Sequence, residues 1–274
     1  EFRRVLFRSN DHFLNRPYAG GICRSEDGLA SWTVSNRGMP DACVTTHIIL
    51  DPSSPPGQRT LYVAGFGTGV WKSTDDGYTW SLKNVGLGPN RFIWRLVQLP
   101  DGTIYLLASR GLRQGTTVDG AMYRSRDGAD SWEPVAMPAG TNAPNDLAVN
   151  PANPMQMALA CWPDPQADPQ ADHLAAGGAY ISDDGGENWR NVFNPAAYVY
   201  ALTMHPDDPN RMILVTFEGA AYETRDRGNC WSRIQGFDFK WGHRPIIDPQ
   251  DPEQVYITTF GGSVWHGPIT TATH

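Results

Sequence analysis

The stretch STDDGYTW, residues 73–80, decides the fold, because its spacing Ser-x-Asp-x-Gly-x-x-Trp recurs along the chain. Residues 182–189 repeat it, residues 224–231 repeat it with Thr in place of Ser, and residues 25–32 and 125–132 keep the Ser, Asp and Trp with the Gly one place earlier. An Asp can hydrogen-bond nearby backbone, Gly supplies a positive φ, and a Trp can pack over the turn with its N–H directed at a carbonyl. The pattern therefore predicts five hairpin turns. Their defining residues are Ser25, Asp27, Trp32, Ser73, Asp75, Gly77, Trp80, Ser125, Asp127, Trp132, Ser182, Asp184, Gly186, Trp189, Thr224, Asp226, Gly228 and Trp231.

The turns recur every 40–50 residues or so, which is about the length of one four-stranded propeller blade. Before each complete turn stands an apolar run that ends in a Pro turn, such as THIILDP at 46–52. We interpret this run as an inner strand, followed by a second strand, a third that enters the turn and a fourth that leaves it. The pattern predicts four complete blades from about 46 to 236, with third and fourth strands before them and first to third strands after them.

The repeated turn resembles the Asp-box, or BNR repeat, of sialidase-like and oligoxyloglucan-hydrolase-like β-propellers, and the resemblance covers nearly the whole chain. It implies an all-β propeller of four-stranded antiparallel blades. About five blades are present, either as the whole propeller or as part of a six- or seven-bladed one. In that family the Asp-box is a structural turn on the face away from the active site. The acidic residues of the turns are therefore expected to be structural, not catalytic.

The N-terminal stretch EFRRVLFRS does not fit the repeat and reads as adaptor sequence. We expect residues 1–9 to be non-native, residues 10–268 to form a single propeller domain, and residues 269–274 to form a flexible tail. On this interpretation the chain is an N-terminally truncated family member that has lost any signal peptide.

The composition excludes several classes of protein. A net charge of −7 over 274 residues disfavours nucleic-acid binding and a basic membrane-surface protein. The sequence contains no run of about 18 apolar residues, so it predicts no membrane-spanning helix. The four cysteines, Cys23, Cys43, Cys161 and Cys230, lack CxxC spacing, which disfavours a zinc site; pairing of Cys23 with Cys43 and burial as free thiols both stay open. We expect a monomer without metal or cofactor.

The candidate site lies on the face opposite the turns, where each inner strand begins. Aligning the repeats places ionisable residues at four of five equivalent positions: His47, Arg95, Asp146, Ala201 and Arg244. With neighbouring positions included, the predicted ligand-binding residues are His47, Trp94, Arg95, Arg110, Trp162, Tyr200, Trp241, His243 and Arg244. Asp146 and Glu218 are the predicted catalytic pair, because two carboxylates can act as acid and base on a sugar that stacks on aromatic rings. The alternative is a satisfied ionic network that fills the channel.

The resemblance does not transfer a catalytic mechanism. Sialidases of this broad family use three arginines, a Tyr–Glu pair and an Asp, and the chain supplies these residue types without the Arg-Ile-Pro start or the family's order. The xyloglucan-active family places its catalytic pair between two propellers, whereas this pattern predicts one. Two long loops stand on the candidate face, at 110–120 and 162–178. The second contains Asp164, Asp168, Asp172 and His173, for which an extended solvated loop is favoured over a metal site.

Two functions therefore compete. The first is a secreted carbohydrate-active propeller, glycoside-hydrolase-like or glycan-binding, with its ligand at the channel mouth. The alternative is a non-catalytic scaffold whose rim binds a protein. An extracellular or periplasmic location is expected from the family.

Overall fold

The computed structural model describes residues 5–8, 20–41, 43–113, 116–163, 176–238, 242–260 and 263–270, and regular structure in this part of the chain is all β. Within these ranges there is no helix long and apolar enough to cross a membrane. The chain divides into two compact units, residues 1–118 with 122–134 and residues 119–121 with 135–274. This division does not test whether residues 10–268 form one domain, which stays a prediction.

The first unit holds three antiparallel sheets, ordered β1-β2-β3, β4-β5-β6-β7 and β13-β12-β9-β8, with terminal residues of β12 and β13 assigned to the second unit. Strands β10 and β11 pair with each other in a separate sheet, so residues 111–113 and 116–118 of the loop predicted at 110–120 are antiparallel strands. The strands are β1 Val5–Arg8, β2 Gly21–Arg24, β3 Thr33–Val34, β4 Val44–Leu50, β5 Leu61–Phe66, β6 Gly69–Ser73, β7 Ser81–Leu82, β8 Ile93–Gln98, β9 Ile104–Ala108, β10 Gly111–Arg113, β11 Thr116–Val118, β12 Ala121–Ser125 and β13 Glu133–Val135.

The second unit holds two four-stranded sheets, β14-β15-β16-β17 and β18-β19-β20-β21, and the three-stranded sheet β22-β23-β24. All pairings between neighbouring strands are antiparallel. The strands are β14 Pro144–Val149, β15 Met157–Cys161, β16 Gly178–Ser182, β17 Arg190–Phe193, β18 Val199–Met204, β19 Met212–Thr216, β20 Ala221–Thr224, β21 Ser232–Arg233, β22 Gly242–Ile247, β23 Gln254–Thr259 and β24 Val264–Pro268.

The predicted blade pattern is confirmed sheet by sheet. Four complete sheets occupy the predicted positions, and the partial sets of strands before and after them are also present. One strand, Val5–Arg8, lies within residues 1–9, which the sequence pattern excluded from the repeat. It pairs with β2 from Val5↔Arg24 to Arg8↔Gly21. The origin of residues 1–9 stays a prediction.

The five repeated turns share one hydrogen-bond pattern. In the turn at 73–80, the Ser73 hydroxyl donates to Asp75 Oδ1 at 2.7 Å and accepts from the Gly77 N–H at 2.9 Å. Asp75 also accepts from the Thr79 N–H at 2.9 Å and the Thr79 hydroxyl at 2.6 Å. The corresponding bonds to the Ser or Thr hydroxyl and from the seventh-residue N–H occur in the other four turns. The aspartates of the turns are therefore occupied in fixing backbone.

The shifted glycine has a conformational explanation. The fourth and fifth residues of every turn have positive φ, as in Asp76 and Gly77 (58° and 82°) or Gly128 and Ala129 (68° and 71°). A glycine at either position relieves part of the strain, because an L-residue in this region costs about 1–2 kcal/mol. The looser copies therefore keep the same backbone.

The tryptophan of the turn reaches beyond its own sheet. The Trp80 indole N–H donates to Ser35 O at 2.7 Å, that of Trp132 to Lys83 O at 2.9 Å, and that of Trp231 to Val192 O at 2.7 Å. Each acceptor lies in or just after the outer strand of the preceding sheet. Between sheets, apolar side chains form clusters such as Ile22, Leu61, Val63, Trp71 and Trp80 in the first unit. The repeat thus joins neighbouring sheets as well as turning the chain.

Candidate functional site

Every inner strand carries a β-bulge at the same repeat position. The pairing register shifts by one residue near the start of β4, β8, β14, β18 and β22. Bulges bend a strand and redirect side chains, and they are frequent near functional sites. The unpaired residues at the five bulges are Thr46, Trp94, Asn145, Tyr200 and His243.

Three of the five bulged residues contact the next inner strand along the chain. In the first unit Thr46 Oγ1 donates to Ile93 O at 2.8 Å. In the second unit Asn145 Nδ2 donates to Tyr200 O at 2.5 Å, and the Tyr200 and His243 rings meet edge to face with centroids 5.2 Å apart. At these three strands the bulge turns one side chain toward the next sheet, which helps to hold neighbouring sheets together at the candidate face.

The ionisable residues one position further form local pairs in each unit. In the first unit Arg95 hydrogen-bonds Nε2 of His47. In the second unit the Asp146 carboxylate is buried, and its Oδ2 lies 3.9 Å from Nε of Arg244. The Asp146–Arg244 contact joins opposite charges, whereas Arg95 and His47 are both basic and share a hydrogen bond; the ionic network that fills the channel stays a prediction.

A group of six rings, here called the aromatic surface, covers the inner-strand entries of the second unit. Trp162 lies 5.5 Å from Tyr198, 5.2 Å from Tyr200 and 5.6 Å from Phe217, measured between ring centroids. Tyr200 and His243 also pack against Phe260, at 5.1 and 4.7 Å. Phe217 and Phe260 are 38% and 43% exposed, and burial raises the pKa of the Tyr200 hydroxyl well above its usual range. The aromatic surface consists of Trp162, Tyr198, Tyr200, Phe217, His243 and Phe260.

Three of these rings were missed from the sequence, although the repeat contains a signal for two. Phe217 and Phe260 stand at the end of the second-strand run, and Phe66 stands at the equivalent position in the first unit. Phe66 packs against Phe92 at 4.9 Å and against Trp94 at 6.4 Å. An aromatic residue at one repeat position in three blades could have been found by the alignment that identified Glu218.

Glu218 has surroundings of its own. It is exposed, accepts a long hydrogen bond of 3.4 Å from the Tyr198 N–H, and lines a cavity of about 420 Å³. The residues that line this cavity do not include Asp146. The assignment of Asp146 and Glu218 as an acid/base pair stays a prediction, and the structure gives the two carboxylates different neighbours.

The structure describes only some of the remaining predicted residues. Arg110 is half-buried just after β9. Trp241 and the acidic loop residues Asp164, Asp168, Asp172 and His173 lie outside the described residues. Within the described ranges no group of three or more His, Cys, Asp or Glu could hold a metal ion. All four cysteines, which are all described, are free thiols.

No family model matches the chain, and no curated protein matches it. Among solved structures it is similar to a GH74 enzyme of Niastella koreensis, with 15% identity, a TM-score of 0.56, and coverage of 97% of this chain and 55% of that one. It is also similar to YCF48 of Cyanidioschyzon merolae, with 12% identity, a TM-score of 0.62, and coverage of 90% and 77%. A structure described as YCF48 bound to D1 peptide gives 17% identity, a TM-score of 0.58, and coverage of 92% and 73%.

These similarities confirm the predicted fold, a β-propeller built from four-stranded antiparallel blades. At such identities they show the fold alone. The chain spans about half the length of the GH74 enzyme above, and 28% of an ancestral GH74 enzyme. Function must therefore be argued from the site.

Proposed function

We propose that this chain is a non-catalytic, monomeric binding propeller of the Asp-box (BNR) type, whose aromatic surface binds an extended apolar peptide segment of a protein partner. The observation that carries the proposal is the exposure of Phe217 and Phe260, at 38% and 43%, above the packed rings of Trp162 and Tyr200. Aromatic residues that are rigidly held and partly exposed are typical anchors of protein interfaces.

Catalysis by the predicted carboxylates has less support. A glycosidase needs two carboxyl groups on either side of one bond, about 5–10 Å apart. The Asp146 side chain is only 2% exposed and lies beside Arg244, whereas Glu218 lines a cavity that Asp146 does not share. A buried carboxylate that contacts an arginine is better suited to a structural role than to proton transfer to a substrate.

The choice of a peptide over a sugar follows from which rings are exposed. The exposed rings are phenylalanines, whereas Trp162 and Tyr200, whose polar groups suit a hydroxylated ligand, lie deeper in the cluster. One structural neighbour is described as bound to a peptide, and the chain covers 73% of it. This neighbour supports the proposal without transferring its partner.

The test is selection from a displayed library of random twelve-residue peptides, followed by affinity measurements on variants. We expect enriched peptides with apolar side chains, whose affinity falls at least tenfold in Phe217→Ala and in Phe260→Ala. Leu82→Ala is the matched control, because Leu82 is a 49% exposed apolar residue on an outer strand. Peptides that bind equally well to all three variants, or an absence of enriched peptides, would refute the proposal.

The second candidate, a carbohydrate-active propeller, is favoured by the GH74 similarity and by the rings and carboxylates on the same face. A glycan array and a xyloglucan hydrolysis assay test it on the same protein. Hydrolysis that is lost in both Asp146→Asn and Glu218→Gln would overturn the non-catalytic proposal. We also propose an extracellular or periplasmic location, which fractionation of the source cells with an antibody to this chain would test.

A further inference from the structure

The cavity that contains Glu218 lies between two neighbouring sheets of the second unit. One wall is the end of β17 and the segment that follows it, and the other is the β19–β20 hairpin with parts of β20 and β21. Its volume of about 420 Å³ falls in the range of small-ligand pockets. The lining residues that carry the argument are Phe193, Glu218, Gly219, Tyr222 and Arg233.

The charges of this cavity leave one carboxylate available. The Arg233 guanidinium is bound to Asp238, with Nη2 and Oδ1 2.7 Å apart. Glu218 accepts the Tyr198 N–H at 3.4 Å, which is long for such a bond. Among the residues that the structure describes, no cation forms an ion pair with Glu218. The arrangement favours a positively charged ligand.

The apolar walls suit the same ligand. The Phe193 and Tyr222 rings both line the cavity, with centroids 5.1 Å apart and planes tilted by 57°. The face of an aromatic ring attracts an ammonium or guanidinium group, and the attraction grows where water is partly excluded. Gly219 and three alanines also line the cavity, and these small residues take up little of its space. A carboxylate beside two rings is a site for an organic cation on an aliphatic stem.

The cavity and the aromatic surface meet at one hairpin. Glu218 directly follows Phe217, and Tyr198 supplies a ring to the aromatic surface and an N–H to Glu218. We propose that the cavity binds the ammonium or guanidinium group of a Lys or Arg side chain in the same peptide that covers Phe217. This inference rests on the proposed function, since it assigns a second contact to the proposed ligand.

The first experiment uses small probes and so does not depend on finding a peptide. N-acetyl-lysine methylamide and N-acetyl-arginine methylamide are titrated by NMR, with N-acetyl-norleucine methylamide as the neutral control. We expect the charged probes to bind at least fivefold more tightly than norleucine, to lose that preference in Glu218→Gln, and to weaken with added salt. Glu187→Gln is the matched control, because Glu187 is an exposed glutamate of the same unit and the charge change is equal. Equal binding of all three probes, or a preference that survives Glu218→Gln, would overturn the inference.

The second experiment separates this inference from the function on which it rests. Peptides enriched in the library should carry a Lys or Arg, and their affinity should fall at least fivefold in Glu218→Gln. If the peptides depend on Phe217 but not on Glu218, the cation site is wrong and the peptide-binding function stands. If the charged probes bind through Glu218 and no peptide is enriched, the peptide-binding function fails and its link to the cavity fails with it. Tighter binding of neutral sugars than of the charged probes would show that the cavity is a carbohydrate site.

Discussion

A buried ion network in the second unit gives the sharpest test of what stabilises this fold. Glu223 is 2% exposed and accepts from Nε of Arg211 at 2.5 Å and from Nε of Arg225 at 3.1 Å. Arg211, itself buried, also donates through both terminal nitrogens to Glu253, at 2.6 and 2.9 Å. The network connects β20 and the residue before β19, both in the region of the fourth complete sheet, to the residue that precedes β23.

We predict that Glu223→Gln destabilises the protein by about 3 kcal/mol, the lower end of the 3–5 kcal/mol expected when one partner of a buried ion pair is lost. The lower end applies because the glutamine keeps one acceptor oxygen and Glu253 still contacts the buried Arg211. The desolvated guanidinium nevertheless loses its most buried counter-charge, which burial makes costly.

Glu133→Gln is the matched control. Glu133 also contacts two arginines, Arg124 at 2.8 Å and Arg126, but its side chain is 49% exposed. Water and salt screen such pairs, so we expect no change beyond experimental error. Urea unfolding followed by tryptophan fluorescence measures both variants, provided that each transition has a single midpoint and an unchanged slope.

The cause can be separated from simple loss of a contact. Because the cost arises from an uncompensated buried charge, the double variant Arg211→Met with Glu223→Met should recover most of the stability that Glu223→Gln loses. Equal losses in Glu223→Gln and Glu133→Gln, or a double variant that is less stable than Glu223→Gln, would refute the reasoning.

Three further predictions concern the repeated turns. Hydrogen bonds, led by that of the Ser131 hydroxyl, lower the pKa of Asp127 from 3.8 to about 2. The stability that these bonds supply is therefore present above pH 4 and is lost as the pH falls toward 2. Asp127→Asn should flatten this part of the curve of unfolding free energy against pH, and an unchanged slope would contradict the prediction. Gly228→Ala should lower the free energy of unfolding by about 2 kcal/mol or more, because the new Cβ would lie 2.7 Å from Val192 Cβ. Gly28 has open space around it, so Gly28→Ala should show only the strain of positive φ. A denaturant titration measures both variants. Cys230 contacts its turn aspartate from the position that Ser31, Thr79 and Ser131 occupy in other turns. A hydroxyl is a stronger hydrogen-bond donor than a thiol, so Cys230→Ser should raise the thermal unfolding midpoint and Ser131→Cys should lower it. Shifts in the opposite directions would refute this prediction.

The repeat could be predicted in detail because its causes are local. A hydroxyl, a carboxylate and a residue with positive φ close each turn within eight residues, so the sequence pattern and the hydrogen bonds coincide. The same register placed the inner strands correctly and identified the position now seen as a β-bulge in each of them. Strand order followed from this register.

The site was only partly predictable, because its causes are contacts between distant segments. Alignment of the repeats identified Asp146 and Arg244 as candidate residues. It could not show that Asp146 Oδ2 and Arg244 Nε lie 3.9 Å apart across the intervening blade. It also grouped Asp146 with Glu218, whereas Glu218 faces a cavity formed with β17 and β21. The repeat gives positions along each blade, and which side chains of different blades meet depends on their size and on the bulge.

The bulge explains why one pair of adjacent positions can serve both stability and binding. Without it, neighbouring residues of a strand point to opposite faces, and an inner strand would offer only one of them to a given face. The extra residue directs Asn145 and Tyr200 sideways to the next sheet and leaves Asp146 and Arg244 to pair with each other. Since Tyr200 is also part of the aromatic surface, the ring that holds neighbouring sheets together supports the exposed Phe260. Replacing Tyr200 should therefore weaken stability and peptide binding together, whereas replacing Phe260, which is 43% exposed, should weaken binding with a smaller loss of stability.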